Sequence, residues 1–213
     1  MKIKKTNYLL LLLLSSVSII VSKAGNNLLN VEELYYQSLT VHLTSQQIER
    51  ILEVQKKIKW LYYIIVPIIT LIKTMIISSV IYVGIMLFDS RKMNFNLVWH
   101  YVLKAEFIFI LVSIFKIVWF CCFQTNYNLK DLQYFYPLSA LNITGYKRLE
   151  VWFIYPFQVI NLFELLYVIY LGFEIGKLTE TNTDQGLKIL GLSYVPALFL
   201  WVATVMFFTL NYS

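Results

Sequence analysis

The feature that most constrains this chain is a series of apolar runs, each long enough to cross a lipid bilayer. A membrane-spanning helix needs about 20 consecutive apolar residues. Inside lipid the backbone finds no water to bond, so such runs must fold as helices. We therefore expect an all-α, polytopic transmembrane bundle within residues 60–213. Its four predicted spans are Trp60–Phe88, about Val102–Phe123, about Val151–Phe173 and about Ile189–Leu210.

Composition supports a membrane protein over a soluble one. Hydrophobic residues make up 59% of the chain and charged residues only 14%, against roughly 45–50% and about 25% in soluble domains. The net charge is +6, but the basic residues are scattered between the apolar runs. We therefore expect the lipid bilayer, not nucleic acid, as the partner of these charges.

Residues 1–24 have the pattern of a signal peptide or a signal anchor. Lys2, Lys4 and Lys5 precede an apolar stretch from Tyr8 to Val21. Small residues at Ser22 and Ala24 favour cleavage after Ala24. The alternative is retention as an anchor, for which the stretch is slightly short.

Residues 25–59 are predicted to contain an amphipathic helix outside the membrane that leads into the first span. Thr44 or Ser45 can cap it. Apolar side chains then recur at helical spacing, while charged ones fill the other face. Such a helix is typical of the membrane surface. A polar segment, Asp89–Lys92, closes the span that follows.

Two opposite charges, Lys73 and Glu164, are predicted at similar depth inside the membrane. Counted from Trp60 and Trp152, they lie about 20 Å and about 18 Å along helices that enter from the same side. Charges at this depth are costly and normally pair. We therefore predict a Lys73–Glu164 ion pair. Asn161, and Gln158 before it, would extend the pair into a polar cluster.

Two further charges lie nearer to the predicted span ends. Glu106 follows the expected start of its helix closely and can reach the interface. Lys116 can snorkel towards the membrane surface. It could instead be a second partner of Glu164.

Three prolines fall within predicted spans: Pro67, Pro156 and Pro196. Each removes a backbone donor and crowds the preceding turn, so each is predicted to kink its helix. The kinks could simply shape the bundle, or they could provide a hinge or a binding cavity.

An apolar, aromatic stretch lies between the second and third spans and includes Tyr136, Pro137, Leu138 and Ser139. A solvated loop would not need such residues. We expect a short interfacial or re-entrant segment that packs against the membrane surface or the span ends. Binding of a partner is the alternative.

Sequence motifs of enzymes and cofactor sites are not found. The chain has no phosphate-binding loop, dinucleotide fingerprint or nucleophile elbow. Its two cysteines, Cys121 and Cys122, are adjacent and lack metal-ligand spacing. We expect no catalytic residues, no metal and no cofactor.

The overall pattern resembles bacterial Yip1-domain-like membrane proteins, including small forms common in Bacteroidetes. The resemblance covers about residues 44–210. It implies a bundle of four or five helices without enzymatic activity. The segments that carry it are the lead-in from Thr44 to Lys59, the first span with Pro67 and Lys73, Tyr136–Ser139, Trp152–Glu164 and Gly191–Pro196.

Together these patterns predict a non-enzymatic scaffold or accessory subunit in the bacterial inner membrane. It would associate with other membrane proteins or with itself. The basic N-terminus favours a cytoplasmic start, although basic residues divide evenly between the two sides and do not decide the orientation. The alternative is a transporter or permease subunit whose polar core contains Lys73, Glu164 and Asn161.

Overall fold

A computed structural model describes residues 2–40, 43–88 and 93–212. This part of the chain is helical, and a single isolated bridge between Ser139 and Asn161 is its only β pairing. One 3₁₀ turn, Tyr146–Arg148, lies between the eighth and ninth helices. The helices are α1 Lys2–Leu28, α2 Val31–Thr40, α3 Ser45–Ile58, α4 Leu61–Phe88, α5 Phe95–Ala105, α6 Phe107–Cys122, α7 Leu129–Tyr134, α8 Leu141–Thr144, α9 Val151–Val159, α10 Leu162–Leu178, α11 Thr183–Leu192 and α12 Tyr194–Tyr212.

Four helical segments in the described part are long and apolar enough to cross a membrane: Ile3–Leu28, Leu61–Phe88, Phe95–Cys122 and Thr183–Tyr212. The chain is thus a multi-pass, all-α membrane protein, and the predicted fold class is confirmed. The set of spans differs from the prediction, because the N-terminal segment is one of the four and Val151–Phe173 is not.

The predicted span Val151–Phe173 is divided into two helices. α9 ends at Val159, and α10 begins at Leu162. Between them Asn161 takes an extended conformation, and its side chain accepts a hydrogen bond from the backbone N–H of Glu164. An Asn in this role starts a new helix, which explains the interruption. α9 packs against α12, and α10 packs against α11.

The second predicted span begins earlier in the chain than Val102. α5 starts at Phe95, where the Asn94 side chain accepts from the backbone N–H of Asn96. Trp99, in the first turns of α5, is only 2% exposed, because the N-terminal helix covers it. The predicted closing segment Asp89–Lys92 lies outside the described residues.

The N-terminal helix α1 packs against α4, α5 and α6. Its Asn7 side chain is fully buried. Asn7 donates to the Asn96 carbonyl oxygen at 2.8 Å and lies 2.9 Å from Nδ1 of His100. The Tyr8 ring meets Trp99 edge to face. Cleavage after Ala24 and retention of the segment as an anchor both stay predictions.

The lead-in region of residues 25–59 contains more helix than one amphipathic segment. α2 precedes α3, and Lys59 forms an ion pair of 2.8 Å with Glu32 at the beginning of α2. This hydrogen bond and charge lower the pKa of Glu32. The backbone N–H of Thr44 donates to Oε1 of Gln47 at the start of α3, as in a capping box.

α10 and the beginning of the last spanning segment meet at a glycine contact. α11 begins at Thr183, a few residues after the end of α10. A Cβ on Gly186 would overlap the Gly172 carbonyl oxygen and would lie 2.7 Å from the Gly176 nitrogen. The backbones of α10 and α11 therefore approach closely, which only small residues permit.

Replacing Asn7 by Leu should destabilise the protein if α1 is part of the mature fold. The Asn96 carbonyl and the His100 ring would lose their partner, at a cost of about 1–3 kcal/mol in the free energy of unfolding. Thermal unfolding in detergent, combined with intact mass, measures this. Leu9→Ala, at a position that is 62% exposed, is the control and should change stability by less than about 0.5 kcal/mol. An unchanged stability in Asn7→Leu would contradict the packing of α1.

Replacing Gly186 by Ala should force α10 and α11 apart. Overpacking against backbone atoms that cannot move independently should lower the free energy of unfolding by about 3 kcal/mol. Gly191→Ala on the same helix is the matched control, because no atom lies within 4 Å of the position that its Cβ would occupy. That variant should be neutral or slightly stabilised. Equal melting temperatures for the two variants would show that the helices are not in close contact.

Candidate functional site

The main ion pair of the bundle joins Lys73 to Glu106. Lys73 Nζ donates to Oε2 of Glu106 at 2.7 Å and lies 4.5 Å from the centre of the Phe109 ring. The Glu106 side chain is 6% exposed and that of Lys73 is 47% exposed. The predicted Lys73–Glu164 ion pair is therefore wrong in its acidic partner. Glu106 does not reach the interface, because α5 begins at Phe95 and carries it to the middle of the span.

Glu164 has a tyrosine as its partner. The Tyr194 hydroxyl donates to Oε1 of Glu164 at 2.6 Å. The fully buried Tyr167 hydroxyl lies 3.4 Å from Oε1 of Glu106, and its ring is 5.6 Å from that of Tyr194. The two carboxylates are thus linked through two tyrosines. We call Lys73, Glu106, Tyr167, Tyr194 and Glu164 the polar centre.

The polar centre lies at mid-depth. At 1.5 Å per residue, Lys73 is about 18 Å from the start of α4. Glu164 joins this level through its hydrogen bond with Tyr194, whose ring contacts Tyr167. Glu106 is about 24 Å from the end of α6 on that same side of the bundle. Two carboxylates, those of Glu106 and Glu164, therefore lie at a depth similar to that of Lys73. Depth alone could not identify which of them is its partner.

Helix irregularities occur at this same level. Glu106 is the turn residue between α5 and α6, and Ser193 separates α11 from α12 next to Tyr194. The complete break at Ile160 and Asn161 comes just before Glu164. Irregular backbone at membrane depth is tolerated where it is buried in protein or lines a cavity. Such breaks surround the binding sites of many secondary transporters.

Asn161 and Gln158 support the break and do not bond the Glu164 carboxylate. Asn161 Nδ2 donates to the carbonyl oxygens of Gln158 and Val159, both at 2.9 Å. Gln158 Nε2 donates to the Tyr134 carbonyl oxygen at 2.8 Å. Both residues were expected in the polar cluster, but Asn161 bonds carbonyl groups at the break and Gln158 bonds the last carbonyl of α7.

The three prolines have different consequences. Pro196 follows the irregularity at Ser193, and it lacks the N–H that would bond the Leu192 carbonyl. Pro156 lies inside α9, while the break after Val159 follows from Asn161. Pro67 lies inside α4, which continues as α-helix through it.

The segment from Tyr136 to Ser139 covers the break in the α9–α10 element. The Ala140 N–H donates to the Ile160 carbonyl oxygen at 2.9 Å, and the Leu162 N–H donates to the Leu138 carbonyl oxygen at 3.2 Å. Leu138 adopts a left-handed φ of 54° to make this turn. We expected an interfacial or re-entrant segment packed against the membrane surface or the span ends. In the structure this segment pairs with the break between α9 and α10.

Side chains of this covering segment are partly inside the bundle. Pro137 and Ser139 are buried, while Leu138 is exposed. The Ser139 hydroxyl donates to the Tyr136 carbonyl oxygen at 2.7 Å. Burial, and then the neighbouring Glu164 carboxylate, raise the pKa of the Tyr136 hydroxyl. The segment therefore extends inward towards the polar centre.

Two cavities lie along α1 and α6. The inner cavity, of about 120 Å³, is lined by Glu106 together with Ser18, Thr70 and apolar side chains. The outer cavity, of about 520 Å³, is formed by α1, α2, α6 and α7 and one residue of α3. Val21 and Ser113 line both cavities. The two cavities are therefore neighbours, and the inner one borders Glu106 of the Lys73–Glu106 pair.

Lys116 faces the outer cavity and not the polar centre. It has no hydrogen-bond or ion-pair partner among residues 2–40, 43–88 and 93–212. Lys116 therefore does not pair with Glu164 in this structure. The prediction that Lys116 simply snorkels to the membrane surface did not include the outer cavity, which Lys116 lines.

Sequence reasoning missed Glu106, Tyr167 and Tyr194 as members of the polar centre. Moving the start of the second span back to Asn94, a capping residue, would have placed Glu106 at mid-depth. The two tyrosines offered no such signal, because Tyr is common throughout the chain. Tyr167 and Tyr194 differ from the other tyrosines only through helix packing, which brings their rings into contact.

The polar centre is suited to exchanging protons or holding a small cation. It combines one ammonium group, two carboxylates and two hydroxyls in a setting from which most water is excluded. In the described part of the chain no group of three or more potential metal ligands is present. Cys121 and Cys122 are free and exposed.

Comparison with known proteins yields no match, whether to a protein family, a curated protein or a solved structure. The resemblance to Yip1-domain-like proteins therefore stays a prediction.

A double-mutant cycle distinguishes the two possible partners of Lys73. Lys73→Met and Glu106→Gln should show a coupling energy of about 1–2 kcal/mol, reduced by the partial exposure of Lys73. Lys73→Met with Glu164→Gln should couple by less than about 0.5 kcal/mol. Unfolding in mixed micelles supplies both values. A larger coupling to Glu164 would restore the pairing predicted from the sequence.

Proposed function

We propose that this multi-pass protein moves protons or a small cation across the membrane, alone or as the subunit of a larger transport complex. The observation that supports this most is the inner cavity, which places Glu106 of a mid-membrane ion pair beside an open space. Ionisable residues at such depth normally serve ion pathways or proton relays. No enzymatic step belongs to the proposal.

An access route supports the same proposal. The inner cavity has room for about four water molecules. Ser18 lines the inner cavity, and Ser22, one helical turn further along α1, lines the outer one. The Ser113 hydroxyl borders both. Water entering beside the lead-in helices could therefore approach Glu106 along a series of hydroxyl groups.

The proposed step is proton binding at Glu106. A proton arriving from the inner cavity would bond to the carboxylate, and the neutral acid would no longer hold the Lys73 ammonium group by charge. Tyr167 would keep its hydrogen bond to the carboxyl oxygen. The uncompensated Lys73 charge would then favour a rearrangement that exposes the site to the other side, or the entry of a counter-charge.

A scaffold or accessory subunit is the second candidate. The observation favouring it is that the polar centre is already satisfied, since Lys73 and Glu106 pair and Tyr194 bonds Glu164. Paired groups of this kind can simply fix the orientation of helices. The resemblance to Yip1-domain-like proteins favours this function, and with it the bacterial inner membrane and association with other membrane proteins or with a second copy.

Reconstituted protein tests the transport proposal. Liposomes containing a pH-sensitive dye receive a potassium diffusion potential with valinomycin, and the internal pH is followed. Wild-type protein should carry protons faster than protein-free liposomes. Glu106→Gln cannot exchange a proton at this site, so its flux should fall by about tenfold or more.

Glu174→Gln is the matched control. Glu174 is also a carboxylate on a helix of the bundle, but it faces Lys177 at 4.0 Å and lies far from the inner cavity along α10. Its flux should equal that of the wild type. A wild-type flux no greater than that of empty liposomes, together with a membrane partner that copurifies in mild detergent, would favour the scaffold. An undiminished flux in Glu106→Gln would exclude this site.

A further inference from the structure

The outer cavity carries one uncompensated positive charge. Lys116 and Glu32 both line it. Glu32 is neutralised by its 2.8 Å ion pair with Lys59. Lys116 has no such partner in the described part of the chain. The remaining residues that line the cavity bear no formal charge at neutral pH, so the cavity as a whole attracts an anion.

Neutral hydrogen-bond donors surround the same space. Asn26, Gln55 and Gln133 line the cavity from three different helices. Within the described ranges none of these side-chain amides has a hydrogen-bond partner. Unpaired amide groups beside a single ammonium group match the several acceptor oxygens of a phosphate.

The location of the cavity points to a lipid. Lys116 lies about 9 Å from the end of α6, within the reach of a headgroup. Ile114 and Val118, on the adjoining flank of α6, are 41% and 47% exposed. A headgroup held in the cavity would therefore leave its acyl chains beside an apolar surface. The volume of about 520 Å³ is typical of a ligand site.

We propose that the outer cavity binds the anionic headgroup of a membrane phospholipid. Lys116 supplies the opposing charge, and the amides of Asn26, Gln55 and Gln133 donate to the phosphate oxygens. The α2–α3 hairpin, closed by the Lys59–Glu32 pair, covers the site from outside. This inference does not rest on the proposed function, although a bound headgroup would occupy the outer end of the route by which water would reach Glu106.

Native mass spectrometry of the full-length chain tests it, with phosphatidylglycerol and phosphatidylcholine as probes. The wild type should retain phosphatidylglycerol over phosphatidylcholine at equal concentration. Lys116→Gln should lower the bound phosphatidylglycerol by about fivefold to tenfold. Lys116→Arg, which keeps the charge, should bind as the wild type does.

Lys130→Gln is the control for total charge, because Lys130 is exposed on the neighbouring α7 and does not line the cavity. It should leave lipid binding unchanged. Equal wild-type retention of the two lipids would overturn the proposal without any variant. So would undiminished binding in Lys116→Gln, or full displacement of the lipid by an equal concentration of inorganic phosphate.

Discussion

The structure depends on giving charged side chains and backbone polar groups partners inside a bundle whose outer surface faces lipid. At mid-depth Lys73 and Glu106 are removed from bulk water, so each stabilises the charge of the other, and their pairing fixes α4 against the junction of α5 and α6. The same requirement explains why the Tyr194 hydroxyl bonds Glu164. Apolar packing alone would leave the helices free to rotate, since lipid tails are as apolar as the side chains that they contact. The polar centre therefore supplies orientation that the apolar surfaces cannot.

The interrupted element α9–α10 satisfies this requirement for the backbone. A missing turn leaves N–H and C=O groups without partners, and an unpaired group in lipid costs several kcal/mol. Asn161 caps α10, and the segment around Leu138 supplies two further backbone hydrogen bonds. The break can exist only because a stretch from outside the spans is inserted beside it. Structure and candidate function are connected here, since the break brings Glu164 to the polar centre.

Sequence reasoning predicted the fold class because hydropathy and length need no tertiary information. It failed where packing changes the meaning of a residue. The second span was predicted to begin at about Val102, but α5 begins at Phe95 and α1 buries Trp99. The prediction therefore placed Glu106 too close to the membrane surface. Gly186 lies inside α11, and its missing side chain lets α11 approach α10, which the sequence around it did not indicate. Lys73 was predicted to be a mid-depth charge, but its partner depends on helix rotation, which no periodicity in α4 reveals.

The glycine contact between α10 and α11 has a mechanical consequence. Gly172, Gly176 and Gly186 bring the two backbones so close that no side chain separates them. We therefore expect α10 and α11 to move together as one rigid hairpin. Ile160 and Asn161 belong to neither α9 nor α10, so a rotation of this hairpin would take place there. Since Ala140 and Leu138 bond the residues on either side of Asn161, a movement of the chain outside the bundle would reach the level of Glu164 through these two hydrogen bonds.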